Sequence, residues 1–211
     1  MRQAFACAVS AAILLAAGAA SAQDVDVSFN AAVTSDYVFR GFSQTDEEPA
    51  LQGGVDATIG SFYVGGWASN VDFGDDTDAE IDIYGGYRAE AAGFVFDVGV
   101  VGYFYTDAPS AADYDYVEFK AAASRAVGPV TAGVAVYYSD DFFGVDEEAT
   151  YAELNASVTP ADKWTLSAAL GQQWLDVNDD YATWSLGAAY AFTANLALDV
   201  RYHDTEVDTP I

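Results

Sequence analysis

Cysteine, histidine, methionine and basic residues are all scarce in this chain. Of 211 residues, one is Cys, one is His and one is Met, and Lys and Arg together number 7. A single Cys excludes an internal disulfide, and one His with one Cys leaves no ligand set for a zinc site. Seven basic groups against 33 acidic ones give a net charge of −26, so no basic face exists to bind phosphates, and nucleic acid is not an expected partner. Only 5 prolines occur, almost none inside a strand-like run. After residue 20 no apolar run approaches the ~18 residues of a transmembrane helix. What is abundant is apolar and aromatic: 52% and 15% of the chain, with 18 Gly and 14 Tyr. That is too apolar for disorder and points to β structure.

The first 22 residues read as a Sec-type signal peptide. Arg2 supplies a positive n-region, and Ala4 to Ala17 is apolar over about 14 residues. Ala20-Ser21-Ala22 is a small-residue cleavage site, with the cut expected between Ala22 and Gln23. Cys7 lies inside the apolar run, too early for a lipoprotein box. Cleavage would remove Arg2 and Cys7. The remaining domain, 23–211, then holds no cysteine and a charge of −27 (33 acidic, 7 − 1 = 6 basic).

From residue 25 onward apolar and polar residues alternate with period two. Val25, Val27, Phe29, Ala31 and Val33 share one face; Ser28, Asn30 and Thr34 take the other. Similar runs start near residues 51, 62, 79, 117, 130, 151, 165, 183 and 196, and 94–105 is almost wholly apolar. The reading is about eleven strands with no helical period. Connections alternate: short turns near Gly60-Ser61, Ala91-Gly93, Val127-Pro129, Pro160-Lys163 and Thr193-Asn195, and long acidic loops at 35–50, 72–78, 106–113, 139–148 and 175–180. Short turns on one rim, long loops on the other and apolar bands of about 8–11 residues per strand form the outer-membrane barrel pattern. The pattern predicts an all-β, transmembrane up-and-down antiparallel β-barrel of about 12 strands. A secreted β-sandwich would alternate too. Here, however, the apolar face includes small Ala and Gly, and the other face carries Gly, Ser, Thr and Tyr rather than Lys and Glu. Eleven strands is an odd count, and 203–211 reads as the start of another acidic loop, so a closing twelfth strand is expected to be missing from the chain.

Three blocks carry a family resemblance. Val33-Thr34-Ser35-Asp36-Tyr37-Val38-Phe39-Arg40-Gly41-Phe42-Ser43-Gln44-Thr45, continuing to Gly54, resembles the signature of the TorF family of Gram-negative outer-membrane porins. Trp67-Ala68-Ser69-Asn70-Val71-Asp72-Phe73 resembles a second block, and Glu80-Ile81-Asp82-Ile83-Tyr84-Gly85-Gly86-Tyr87 a third. Looser matches follow at Tyr137-Tyr138-Ser139 and Tyr202. The resemblance implies an outer-membrane barrel with porin activity and a poorly defined solute. The family ends with one more strand and an aromatic terminus, where this chain departs from it.

Candidate pore-lining residues are Arg40, Glu80, Asp82, Arg88, Glu118, Lys120, Glu153 and Arg201, all inward by parity or in the first loop. Arg40 can hold that loop against the wall through bidentate pairs. Glu80, Asp82 and Arg88 on one strand and Glu118 and Lys120 on another are expected to form an interior ion-pair ladder, or a selectivity constriction, by contact across the lumen. Asp75, Asp76, Asp78, Asp140 and Asp141 are weak candidates for binding Ca²⁺ or Mg²⁺, with Asp146, Glu147 and Glu148 beside the second group. A Ser–His hydrolase would have to be built from His203 with Ser185 and Thr183, a sparse basis for an enzyme, so no catalysis and no cofactor is expected. The expected function is passive diffusion of small solutes across the bacterial outer membrane, with cation preference from the acidic rims. The alternatives are a plugged barrel binding divalent cations or lipopolysaccharide at its acidic loops, or a lipid-modifying barrel enzyme. Partners would be outer-membrane lipids, lipopolysaccharide and small solutes or ions.

Overall fold

In a computed structural model, the structure describes residues 6–17, 25–144 and 147–207. The strands in chain order are β1 (Ala6–Ala17), β2 (Val25–Thr34), β3 (Val38–Phe39), β4 (Phe42–Ser43), β5 (Ala50–Ile59), β6 (Phe62–Asn70) and β7 (Ala79–Ala91). They continue with β8 (Phe94–Thr106), β9 (Tyr116–Val127), β10 (Val130–Ser139), β11 (Ala149–Ala161), β12 (Trp164–Leu175), β13 (Tyr181–Ala191) and β14 (Leu196–Thr205). Twelve of them close into one antiparallel barrel, while β3 and β4 form a separate two-stranded sheet. The alternating runs read from sequence correspond to β2 and to β5 through β14. Alternation places Leu51, Val55 and Ile59 of β5 outside, exposed, and turns Gln52 and Asp56 inward. The same rule puts Phe96, Val98 and Val100 of β8 outside and Asp97 inside.

Rings cluster on the outer face near the short turns: Phe62 against Tyr87, Trp164 against Tyr190, and Tyr190 against Phe192. Inside, the rings lie flat along the wall where small residues make room. A Cβ at Gly65 would collide with the Tyr84 ring, whose hydroxyl donates to Asp56 Oδ1 at 2.7 Å. Buried apolar residues gather inside the lumen at the long-loop end, around Tyr103, Tyr116, Phe142 and Tyr181.

The twelfth place in the barrel, between β2 and β14, is taken by β1, which lies within the segment read as the signal peptide and aligns Ala11 with both Val33 and Leu198. The edges of β2 and β14 carry unpaired backbone donors and acceptors, and an extended segment satisfies both. The expected cleavage site at Ala22 and Gln23, Asp146, and the tail 208–211 lie outside the described residues. One expectation needs correction: 35–50, read as a plain loop, contains the β3–β4 hairpin.

Candidate functional site

The hairpin begins where β2 ends. Thr34 Oγ1 donates to the Asp36 carbonyl at 2.7 Å, and Ser43 Oγ donates to Asp36 Oδ1 at 2.6 Å, which ties the two legs at their base. Thr45 Oγ1 donates to the same Asp36 oxygen at 3.3 Å and accepts the Tyr37 amide at 3.2 Å. The tip is Arg40-Gly41, both with positive φ (45° and 91°), between the paired residues Phe39 and Phe42. A two-residue turn of this hand matches strand twist and needs left-handed backbone at both positions. Gly41 is required twice over, because a Cβ there would come 2.8 Å from Thr205 Cβ at the end of β14.

The hairpin crosses the lumen rather than standing in solvent. Tyr37 packs edge-on against Trp67 at 5.4 Å and donates its hydroxyl to Glu80 Oε1 at 3.1 Å. Phe39 meets Tyr103 at 6.0 Å and Phe42 meets Tyr181 at 5.1 Å. Apolar hairpin residues therefore find a packed aromatic surface inside the barrel.

Arg40 is the centre of the arrangement. Its Nη2 donates to Glu118 Oε2 at 2.7 Å and its Nη1 to Gln173 Oε1 at 3.1 Å. The two side chains of the ion pair are 5% and 1% exposed. Four rings surround the guanidinium: Tyr151 at 4.4 Å, Phe39 at 4.7 Å, Tyr137 at 5.3 Å and Phe142 at 6.0 Å. Glu118 is on β9 and Gln173 on β12, so one loop side chain links separate parts of the wall. Tyr103 donates a further hydrogen bond to Glu118 Oε2 at 3.1 Å. A carboxylate this buried is tolerable because a guanidinium and a phenol satisfy it.

A cavity of about 250 Å³ lies against this cluster. Arg40, Tyr137, Tyr151, Glu153, Ser185 and His203 border it. Glu153 accepts hydrogen bonds from Tyr151 at 3.3 Å and Asn155 at 3.0 Å. His203 stands opposite Ser185 in the β13–β14 register. Arg201, one of the pore-lining candidates, donates to Asp199 at 3.2 Å and to Ser167 at 2.9 Å on its own side of the wall.

The expected ladder of Glu80, Asp82, Arg88, Glu118 and Lys120 does not assemble across the lumen. Arg88 Nε and Lys120 Nζ each reach Asp97 Oδ2 at 3.0 Å, and Tyr63 donates to Asp97 Oδ1 at 2.7 Å. Asp97 sits on β8, between the strands that carry the two cations, and is in register with Arg88. A bond to the strand next door is shorter than one across the lumen, so the wall takes both cations. Glu80 takes the hairpin's Tyr37 and Glu118 takes Arg40. Sequence reading missed Asp97 because its strand is otherwise apolar. The usable signal was an inward carboxylate flanked on both sides by inward cations. It also missed Gln173, fully buried at the Arg40 site, for which a lone amide gives no signal.

In the acidic loops, Asp75 accepts from the Thr77 amide at 2.9 Å and the Tyr114 hydroxyl at 3.0 Å. The Thr77 hydroxyl and then its amide hold the Asp75 carboxyl below the usual carboxylate range. Among the described residues, no three acidic, His or Cys groups gather as a metal-holding cluster at Asp75, Asp76, Asp78, Asp140, Asp141 or elsewhere.

The three sequence blocks meet at this hairpin: the first forms it, the second supplies Trp67, and the third supplies Glu80. Among solved structures, the barrel resembles an outer membrane channel from Pseudomonas putida F1, at 14% identity and a TM-score of 0.45, covering 96% of this chain and 97% of that one. It also resembles OccAB4 of Acinetobacter baumannii, at 8% identity and a TM-score of 0.44, over 85% of this chain and only 62% of the other. Likenesses this weak carry no argument about activity. No curated protein sequence matches the chain. Residues 16–211 match the family described as a bacterial protein of unknown function (Gcw_chp), and the chain belongs to that family.

Proposed function

We propose that this protein is a porin-like channel of the bacterial outer membrane, of the TorF kind that its hairpin block resembles, passing small solutes with a preference for cations. The observation that carries this reading is an inside-out barrel. Leu51, Val64, Ile83, Phe119, Leu154 and Leu170 are exposed on the outer wall, while polar and charged groups line the lumen. So much exposed apolar surface suits lipid and not water. Strands of 9 to 13 residues suit a tilted crossing. The long acidic loops would face outward and the short turns the periplasm, giving a negative mouth that concentrates cations. Residues 1–22 direct export. Their removal would empty the place of β1, and mature protein should begin at Gln23 on N-terminal sequencing.

The lumen is crossed by the β3–β4 hairpin, so conduction runs beside it or follows its displacement. A planar-bilayer recording of refolded protein tests the reading. Wild-type barrel should give small unit steps with a cation-selective reversal potential in a potassium chloride gradient, weakening at high salt. Deleting Val38–Ser43 should raise unit conductance severalfold. An anion-selective potential would remove the cation preference. No step from either protein would favour a plugged barrel, the reading favoured by the aromatic packing of Tyr103, Tyr116 and Phe142 at the mouth.

A further inference from the structure

We infer that the lumen contains a guanidinium-binding site that Arg40 fills as a tethered ligand, and that small solutes carrying a guanidinium group compete for it. The inference rests on the channel reading, since solutes must enter the lumen to reach the site. The partners of Arg40 are those a free guanidinium needs. Glu118 offers a carboxylate at 2.7 Å and Gln173 an amide oxygen at 3.1 Å, so two edges of the planar fork are met at once. Tyr151 and Tyr137, on the wall, present ring faces to the cation at 4.4 and 5.3 Å. All four belong to barrel strands and stay in place when the hairpin leaves.

Three features separate this from an ordinary buried ion pair. The guanidinium is carried by a six-residue hairpin outside the barrel sheet, and not by a strand of the wall. The cavity of about 250 Å³ reaches Arg40 and both wall tyrosines, and Glu153 on its border gives an arriving cation a first carboxylate. Gln173, fully buried, keeps its Nε2 without a hydrogen-bond partner among the described residues, so the site retains a donor that Arg40, which only donates, cannot use. A solute bearing both a guanidinium and an acceptor group would use both halves of that amide. Lysine-type ammonium ions lack the planar fork and fit the paired acceptors less well.

The experiment uses guanidinium chloride at millimolar concentration, with tetramethylammonium chloride as the control cation. Arg40→Ala should conduct severalfold more than wild type. Guanidinium should return its unit conductance toward the wild-type level, and tetramethylammonium should act at least tenfold more weakly. In Arg40→Ala/Glu118→Gln that preference should be lost. If Arg40→Ala does not fold, Arg40→Gln, which keeps the stem but lacks the guanidinium, takes its place and should show the same preference for guanidinium over tetramethylammonium. Equal action of the two cations on a conducting variant would overturn the site and leave the channel reading standing. If neither wild type nor variant conducts, the channel reading fails, and melting in detergent decides the site. Guanidinium should then raise the melting temperature of Arg40→Ala above that in tetramethylammonium, but not that of the double variant. Equal melting temperatures would overturn it.

Discussion

Glu118 on β9 and Asp97 on β8 are inward carboxylates of neighbouring strands, each satisfied by cations and a tyrosine. Glu118, near the long loops, is 1% exposed and takes its cation from Arg40 at the tip of a hairpin, 78 residues away in sequence. Asp97, near the short turns, is 13% exposed and takes Arg88 and Lys120 from the two flanking strands, with Arg88 itself 54% exposed. The Asp97 cluster therefore joins strands that the backbone ladder already joins, beside a wetter part of the lumen. The Glu118 cluster joins a loop to the wall across the lumen. The same chemistry serves the wall in one place and the opening in the other, and the element that carries the cation decides which.

Four substitutions probe the contrast. Glu118→Gln leaves the Arg40 guanidinium buried without its anion, a loss of about 3–5 kcal/mol concentrated on the docked hairpin. Unit conductance should rise together with a lower melting temperature, measured in bilayer and detergent respectively. Leu166→Arg, on the exposed outer face of β12, should cost about 2–4 kcal/mol of folding free energy in lipid vesicles while leaving the conductance of folded protein unchanged. Normal stability would count against lipid contact there. Asp97→Asn should lower stability by about 1–2 kcal/mol after screening by lumen water, with conductance close to wild type. A large conductance change from Asp97→Asn would erase the distinction between the two carboxylates. Arg88→Ala should be the mildest, under about 1 kcal/mol, since Lys120 remains on Asp97 and the arginine is half exposed. Thermal melting with gel-shift readout resolves the last two.

The barrel was legible because strand alternation is a local signal: Val25 to Val33 and Leu51 to Ile59 announce their outer faces residue by residue. The inward direction of Arg88, Glu118 and Lys120 followed from the same parity. Their partners did not, because pairing depends on which strand lies next door and at what register. Asp97 sat unnoticed in an apolar strand although its neighbours bracketed it. The Arg40 block was legible as a loop that could be tied to the wall through an arginine. That Glu118 and Gln173 receive it could not be read, since β9 and β12 come near the tip only when the sheet has closed and the hairpin has crossed it. Closure is the least local feature: an edge accepts any extended partner, and in the full chain the apolar segment Ala6–Ala17 pairs with both β2 and β14.

Arg40 and Glu118 should act as one latch across the lumen. A double-mutant cycle on unit conductance, using Arg40→Ala, Glu118→Gln and the double variant under one salt condition, measures that coupling. The two single variants should each raise conductance, and the double variant should add nothing beyond the larger of them. Additive increases, or single variants with wild-type conductance, would contradict it.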